Sequence, residues 1–264
     1  MGKTYYYRDE INDDFAGNSI KRVILPADYN YFPKSPIRRA WAFCLHHFIA
    51  TPIVALLQKL CYGERIEGRK KLKPYLKTGF YLYGNHTRSM GDAYMPSLVC
   101  FPRKPYVIVG PDAVSIKPIK GIVEDLGAIP LAGSIQGKAN FHSAMRRHAE
   151  LCHIVAIYPE AHIWPGYTGI RHFRDGSFRY PVEYDKPVFT ATCTYHKRRI
   201  LPGARCTVYV DGPFFADKVS DPREARRKLC AGAYEAMCER AKLSDYSPNT
   251  YLPADDTTPD WEAR

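Results

Sequence analysis

A histidine and an aspartate stand close together in the stretch GNHTRSMGD, where they could share a proton during catalysis. His86 follows a run of strand-type residues, and Asp92 comes six residues later. An aspartate bonded to one ring nitrogen of a histidine leaves the other nitrogen free to take a proton from a hydroxyl group. The spacing predicts a general base, and the alternative is a loop histidine beside an aspartate that caps the next helix.

A second polar group, Glu160, ends another apolar stretch, HIVAIYPE. Because ligands collect at the carboxyl ends of parallel strands, we expect His86, Asp92 and Glu160 to share one site. The chain has no serine or cysteine in a nucleophile-elbow context, so attack by a substrate hydroxyl fits better than a covalent enzyme intermediate. Its eight cysteines are scattered singly, which predicts reduced thiols in the cytosol and no metal site.

Segments of strand and helix character alternate along the middle of the chain. Strands are predicted at 80–84, 105–110, 128–131, 153–160, 187–196 and 205–213. Helices are predicted at 91–101, 113–127, 135–152 and 221–242. The last helix has Asp221 as its cap and Pro222 in its first turn. This alternation predicts an α/β layered domain with a central, largely parallel sheet flanked by helices.

An apolar segment precedes this domain and begins beside two arginines. Residues 40–57 carry no formal charge, and their 18 residues are at the lower limit for a bilayer span of about 20 residues. We favour a helix in the membrane interface, with Arg38 and Arg39 on lipid headgroups, over a buried core helix. Both a helix lying on the membrane and one crossing it fit this length.

The charge of the chain suits an anionic partner. Net charge is +11, and residues 1–80 supply 14 Lys and Arg against 7 Asp and Glu. Because the charge is densest beside the apolar helix, a membrane surface fits better than nucleic acid, which we do not expect as a partner. We divide the chain into an irregular arm at 1–36, a membrane-interfacial helix at 37–62, an α/β catalytic domain at 63–245 and an acidic tail at 246–264.

Four short motifs of this chain resemble, in the same order, segments of the glycerolipid acyltransferase family, which contains the 1-acylglycerol-3-phosphate acyltransferases. The first block of that family is Asn-His, four residues and Asp. Asn85, His86 and Asp92 are similar, with five residues between the histidine and the aspartate. The second block contains Gly-x-Ile, which resembles Gly127 and Ile129.

The other two motifs resemble the third block of the family and the segment downstream of it. The third block is Phe-Pro-Glu-Gly-Thr-Arg, and this chain begins similarly with Tyr158, Pro159 and Glu160. The downstream segment is Phe-Lys-x-Gly-x-Phe, which resembles FRDGSF with Arg174 and Gly176. The resemblance covers about residues 36–212 and identifies the chain as similar to a divergent member of this family.

The resemblance implies an O-acyltransferase that moves a fatty acyl group from acyl-CoA or acyl carrier protein to the hydroxyl of a lysophospholipid or related glycerolipid. In such an enzyme His86 is the general base, Asp92 orients it, and Glu160 holds the acceptor. Asn85 and Gly176 would also contact substrate. The resemblance implies no cofactor besides the thioester co-substrate. It further implies membrane lipids as partners and a peripheral or monotopic place on the cytoplasmic face of a membrane, in phospholipid biosynthesis.

Two arginines of the family are missing from this chain. Members that take lysophosphatidic acid carry one in the second block and one in the third, where Gly133 or a close neighbour and Ile163 stand here. A guanidinium recognises phosphate through two parallel hydrogen bonds. Either Arg88, Arg171 and Arg174 substitute, or the acceptor has no phosphate monoester. The changed third block also permits a catalytically inactive relative that binds lipid or acyl thioester.

Overall fold

The computed structural model describes residues 2–16, 23–33, 35–88, 91–198 and 203–255. Its strands are β1 (Thr4–Tyr7), β2 (Arg65–Glu67), β3 (Tyr81–Gly84), β4 (Pro105–Val109), β5 (Ala128–Pro130), β6 (Ile154–Ile157), β7 (Val188–Lys197), β8 (Ala204–Phe214) and β9 (Thr250–Pro253). Its α-helices are α1 (Pro36–Cys44), α2 (Thr51–Tyr62), α3 (Met95–Cys100), α4 (Lys117–Asp125), α5 (Ile135–Glu150), α6 (Arg179–Glu183) and α7 (Pro222–Ala241). Strands β3 to β8 and helices α3, α4, α5 and α7 lie where the sequence predicts them.

A seven-stranded sheet in the order β2-β8-β7-β3-β6-β4-β5 forms the centre of the domain. Its neighbouring strands run parallel, except that β7 and β8 are antiparallel. This confirms the predicted α/β domain with a largely parallel sheet flanked by helices. Because β3 and β6 are parallel neighbours, the loops that follow them emerge together at one edge of the sheet.

The central strands are buried on both faces, as expected for a parallel sheet between helices. In β3, Leu82 packs into one core together with Ala156 of β6. Tyr81 and Tyr83 point the other way and pack into a second core with Ile157. This alternation follows from the two-residue period of a strand. Both faces of β3 are therefore anchored, and the strand gives a firm base to the loop that carries His86.

The apolar segment forms one continuous helical run made of α1, a π-helical turn at Leu45–Ala50, and α2. Among the described residues, this run alone has the length and composition needed to cross a membrane. Its burial is inverted, because His46, Thr51 and Gln58 face the protein while large apolar side chains face outward. The outward set is Ile37, Trp41, Phe43, Phe48, Ile49, Ile53, Leu56, Leu57 and Leu60. The core helix of a soluble protein has the opposite arrangement.

The first turn of this helical run is tied to the domain. Arg38 Nε lies 2.8 Å from a carboxylate oxygen of Asp125, and Arg38 Nη2 lies 3.0 Å from one of Glu124, both in α4. Two carboxylates thus hold the Arg38 guanidinium, although its side chain is still 44% exposed, and its contact with lipid headgroups stays a prediction. Arg39 is exposed, and its contact with headgroups stays a prediction.

The two terminal segments pair with each other beside the main sheet. Strands β1 and β9 run parallel, with Thr4 opposite Thr250 and Tyr7 opposite Pro253. The predicted irregular arm and acidic tail each contain a strand, which corrects the sequence-based expectation. Each strand has four residues and finds its partner at the other end of the chain, so no local pattern reveals it. We call β1 and β9 the terminal clasp; residues 256–264 of the predicted tail lie outside the described residues.

Candidate active site

His86 and Asp92 lie together at the carboxyl end of β3. His86 Nδ1 is 2.9 Å from Asp92 Oδ2, and the imidazole stacks on the ring of Tyr158 with centroids 4.6 Å apart. The Asp92 side chain is 1% exposed and that of His86 is 18% exposed. No group among the described residues hydrogen-bonds Nε2, the second ring nitrogen. The pair thus presents one held and one available nitrogen, as a general base requires, and its catalytic role stays a prediction.

Asp92 is fixed by contacts beyond the histidine. Its Oδ2 also accepts the backbone N–H of Arg88 at 2.8 Å, and the Tyr158 hydroxyl donates to its backbone carbonyl. Asp92 does not cap α3, because the residue at the cap position of that helix is Tyr94. The carboxylate therefore orients the imidazole and organises its own loop, and it does not serve as a helix cap.

Glu160 lies beneath the histidine loop and is engaged by the protein itself. Its carboxylate accepts the N–H of His86 at 3.0 Å and the N–H of Arg171 at 3.1 Å. The Arg171 guanidinium pairs with the same carboxylate and donates to the carbonyls of Glu10 and His162. Burial raises the pKa of the Glu160 carboxyl, while Arg171 opposes that rise. In the structure Glu160 fixes the His86 backbone, and its predicted contact with the acceptor stays a prediction.

Two of the three arginines predicted to bind phosphate are internal. The Arg171 side chain is 0% exposed and that of Arg88 is 3% exposed. Arg88 bonds to Glu64, to Asp92 at 3.4 Å and to Gln58 at 3.2 Å. A buried cation must be paired inside the protein, and both guanidinium groups are used in this way. Both guanidinium groups are thus engaged inside the protein, and a direct contact between Arg88 or Arg171 and a substrate phosphate stays a prediction.

Asn85 attaches the start of the histidine loop to β7. Its Nδ2 donates to the Cys193 carbonyl at 3.0 Å, and its Oδ1 accepts the Cys193 N–H at 2.8 Å. Both ends of the buried amide are thus bonded to backbone, and the expected contact of Asn85 with substrate stays a prediction. The residue before it is Gly84, where a Cβ would lie 2.8 Å from the Tyr158 ring. The missing side chain is what lets Tyr158 reach His86.

Arg174 and Gly176 lie on the surface, next to and within the 3₁₀ turn Asp175–Phe178. The Tyr83 hydroxyl of β3 donates to the Ser177 carbonyl at 3.1 Å, which fastens this turn to the central sheet. In the ranges that the structure describes, no hydrogen bond joins Arg174 or Gly176 to the histidine loop. Their roles in binding substrate stay predictions.

The loop that follows β6 supports the histidine loop through its backbone. The Trp164 N–H donates to the His86 carbonyl at 3.1 Å, and the Gly166 N–H donates to the Thr87 carbonyl at 2.8 Å. The terminal clasp covers this loop, since Tyr251 of β9 stacks on Trp164 with centroids 4.8 Å apart. Both ends of the described chain therefore help to hold the backbone of the candidate base.

Ala161 stands where the third block of the acyltransferases has glycine. Its backbone is left-handed, with φ of 64°. This conformation costs a residue with a Cβ about 1 kcal/mol relative to glycine. The local backbone therefore has the shape that favours glycine, although the glycine itself is absent.

An apolar pocket of about 190 Å³ lies next to the segment that follows Asp92 of the candidate pair. Ala93 and Tyr94, the two residues after Asp92, line it on one side. Side chains from α2, α3, β4 and α4 complete its wall, among them Val54, Leu98, Val107, Val109 and Val123. Ligand pockets are commonly of this kind, with mostly apolar walls next to a few polar groups. An alkyl chain bound here would be shielded from water next to Asp92.

Among solved structures, a 1-acyl-sn-glycerophosphate acyltransferase from Thermotoga maritima has a similar fold. The match has a TM-score of 0.54 and 13% sequence identity, and it covers 80% of this chain and 89% of that chain. No protein-family model and no curated protein matches the sequence. At this identity the likeness concerns the fold alone, so the chain has a distant acyltransferase-like fold.

Sequence reasoning does not reveal Tyr158, Gln58 and Glu64 as partners of the candidate site residues. Tyr158 stands in the third block, but no spacing indicates that its ring faces His86. Gln58 shares one stripe of the apolar helix with His47 and Thr51, and this polar stripe is the one signal that the helix turns polar groups towards the domain. Glu64 is one of two acidic residues in a basic stretch, together with Glu67, so nothing local distinguishes it.

Proposed function

We propose that this protein transfers a fatty acyl group from an acyl thioester, acyl-CoA or acyl carrier protein, to the hydroxyl of a lysophospholipid or related glycerolipid. The observation that carries the proposal is the His86–Asp92 pair beside an apolar pocket, in an acyltransferase-like fold. A histidine with a carboxylate partner removes protons from hydroxyl groups, and the pocket suits the alkyl chain of the donor.

In the proposed reaction, His86 Nε2 takes the proton of the acceptor hydroxyl while Asp92 holds Nδ1. The acceptor oxygen bonds to the thioester carbonyl carbon, and the C–S bond breaks when the carbonyl forms again. The proton then passes from the imidazole to the departing thiolate, so His86 returns to its neutral form. The adjacent carboxylate favours the transient imidazolium, because an opposite charge within about 4–6 Å stabilises the charged form.

We propose that the helical run lies in one leaflet of the membrane. It is attached to the domain at its start by Arg38, in its middle by a 3.1 Å bond from His46 to Ser97 of α3, and at its end by Gln58 and Arg88. A helix attached along its whole length rests on the domain, so its outward apolar face enters the interface without crossing the bilayer. The free thiols suit a reducing compartment, which supports the cytoplasmic face.

Among the three arginines named from the sequence, Arg174 is the best supported partner for the phosphate of an acceptor. Arg88 and Arg171 are buried in ion pairs, whereas Arg174 is exposed. If lysophosphatidic acid is the acceptor, Arg174→Ala should raise its KM by about tenfold, since a charge-assisted hydrogen bond contributes about 1.5–3 kcal/mol. If Arg174→Ala does not change this KM, an acceptor without a phosphate monoester becomes the better proposal.

The test uses purified full-length protein with vesicles of anionic phospholipid that contain lysophosphatidic acid or a lysophospholipid with a larger headgroup. Acyl-CoA and acyl carrier protein thioesters are supplied in turn. We expect thiol release that depends on the acceptor, a new diacyl lipid by mass spectrometry, and protein that floats with the vesicles. Vesicles without a lysolipid are the control. The proposal fails if neither donor yields a diacyl product with any acceptor.

The alternative is an inactive relative that binds lipid or acyl thioester. The changed third block favours it, because Ala161, His162 and Ile163 replace Gly-Thr-Arg. The intact hydrogen bond between His86 and Asp92 favours an enzyme. Saturable binding of acyl thioester together with no thiol release would establish the alternative.

A further inference from the structure

The catalytic pair is connected to the end of the apolar helix by a row of buried charged groups. Asp92 Oδ1 lies 3.4 Å from Arg88 Nε. The far end of the same guanidinium bonds to Glu64 and, at 3.2 Å, to Gln58 of α2. The Glu64 side chain is 4% exposed, as hidden from water as that of Arg88. A continuous row therefore runs from Glu64 through Arg88 and Asp92 to His86.

The way α2 ends puts Glu64 under the guanidinium. Gly63 has a left-handed φ of 54°, and the amides of Gly63 and Glu64 bond to the carbonyls of Lys59 and Gln58 at 3.0 and 3.3 Å. Glycine takes up this backbone without strain, so the helix closes with a sharp turn. The turn directs Glu64 inward, whereas Glu67, three residues later, is exposed.

We propose that Glu64 is a positioning residue that neutralises Arg88 and so keeps Asp92 available to His86; this rests on the function proposed above. Arg88 is close enough to compete with the imidazole for the same carboxylate. With Glu64 ionised, the three buried groups sum to a charge of about −1, and protonation of His86 brings the cluster to about zero. With a neutral residue at 64, the same step leaves a positive charge in a buried site, which is disfavoured.

The other ionisable groups around the imidazole do not replace this carboxylate. Tyr158 stacks on the ring, and burial raises the pKa of its hydroxyl well above the usual value, so it stays neutral. Glu160 lies below and pairs with Arg171, so these two charges offset each other. Burial likewise raises the pKa of Tyr195, which reaches the histidine loop from β7. The charge balance at His86 therefore depends on Glu64.

The test compares Glu64→Gln with the matched variant Glu67→Gln. The titration of His86 is followed by NMR at its ring protons. The pH dependence of acyl transfer is measured on the anionic vesicles described above, with the same lysolipid acceptors. In Glu64→Gln we expect the titration midpoint and the acid limb of kcat/KM to move to lower pH by on the order of 1 unit. Glu67→Gln removes one negative charge from the surface and should leave both curves in place.

A second variant moves the carboxylate instead of removing it. Gln58 Oε1 already bonds to Arg88, so Gln58→Glu combined with Glu64→Gln restores one negative charge against the same guanidinium. We expect this double variant to return the titration and the acid limb to their wild-type positions. It also tests the proposal if the single variant does not fold.

Two outcomes overturn the inference. One is a folded Glu64→Gln variant whose His86 titrates as in the wild type. The other is a double variant that stays displaced from the wild-type curve. A third outcome separates the two proposals. If the NMR titration of His86 moves as expected but neither the wild type nor any variant transfers acyl groups, the proposed function fails, while the proposed role of Glu64 in the charge balance is supported.

Discussion

Two side-chain pairs that contain histidine lie at opposite ends of neighbouring parallel strands, and only one of them includes a carboxylate. His86 follows β3 and bonds to the carboxylate of Asp92. His153 precedes β6 and bonds to His148 of α5, with their Nδ1 atoms 2.9 Å apart. The first imidazole has an anion to stabilise its charged form, whereas the second faces another imidazole. The partner therefore gives the same residue type two different electrostatic environments.

Aromatic rings surround the second pair. Tyr106 stacks on His153 with centroids 4.5 Å apart, and the Phe32 ring lies 4.7 Å from that of His148. Burial lowers the pKa of His148 to about 3, and the neighbouring His153 adds to this. Burial lowers the pKa of His153 to about 4, helped by the positive charge of Arg103. Both rings are neutral near pH 7 and act as packing groups.

The largest effect that separates the two pairs is on acyl transfer. His86→Ala should lower kcat by roughly 10²–10⁴-fold, the usual contribution of a general base, with no change in the unfolding transition. His153→Phe keeps a ring against Tyr106 and should keep wild-type turnover. Equal losses in both variants would show that the site depends on overall packing, and the comparison would break.

A smaller effect is expected when the charge of the partner is removed and its shape is kept. Asp92→Asn should lower kcat by about 10²-fold, because an amide does not stabilise the imidazolium that forms during proton transfer. The control is Asp245→Asn, since Asp245 is a carboxylate 3.3 Å from His196 outside the candidate site. If both substitutions change kcat alike, contact with a carboxylate does not distinguish His86.

The smallest expected effect is a loss of folding stability in acid, which the second pair causes. His148 and His153 have lowered folded-state pKa values, so the unfolded chain binds protons that the folded chain refuses between about pH 6.5 and pH 4. Stability is present above pH 6.5 and falls as the pH drops through this window. Between pH 7 and pH 5 the free energy of unfolding should fall by about 1–2 kcal/mol per histidine.

Urea unfolding at several pH values checks this expectation. His153→Phe removes one of the two titrating groups, so the free energy of unfolding should vary less with pH than in the wild type. His86→Ala serves as the matched variant, because its imidazole is partly exposed and bonded to a carboxylate. A pH slope that His153→Phe leaves unchanged would count against neutral burial of this pair.

The location of the site could be predicted from the sequence, because alternating strands and helices imply a parallel sheet with its loops at one edge. This reasoning brings His86, Asp92 and Glu160 together, as the structure does. The contacts of the polar residues nearby could not be predicted. Arg88 and Arg171 look like surface arginines in the sequence. Each is buried with partners that include a separate segment of the chain, Glu64 for Arg88 and Glu10 for Arg171.

The same limit applies to the two ends of the chain. Strands β1 and β9 are short, and neither has a hydrophobic pattern that marks it as a strand. Their pairing depends on a tertiary contact with Trp164, which no local rule supplies. The apolar helix, by contrast, can be predicted from the sequence. Its length and composition are evident there, and its inverted burial follows from its polar stripe.

The terminal clasp has a consequence for the time at which the site is completed. Lys3 and Asn249, which share a hydrogen bond beside the clasp, are 246 residues apart. At a synthesis rate of about 5–20 residues per second, β1 waits roughly 12 to 50 s before β9 emerges from the ribosome. Only then can Tyr251 cover Trp164, whose N–H holds the His86 carbonyl. The sheet can form earlier, but the newborn protein acquires its fully supported histidine loop last.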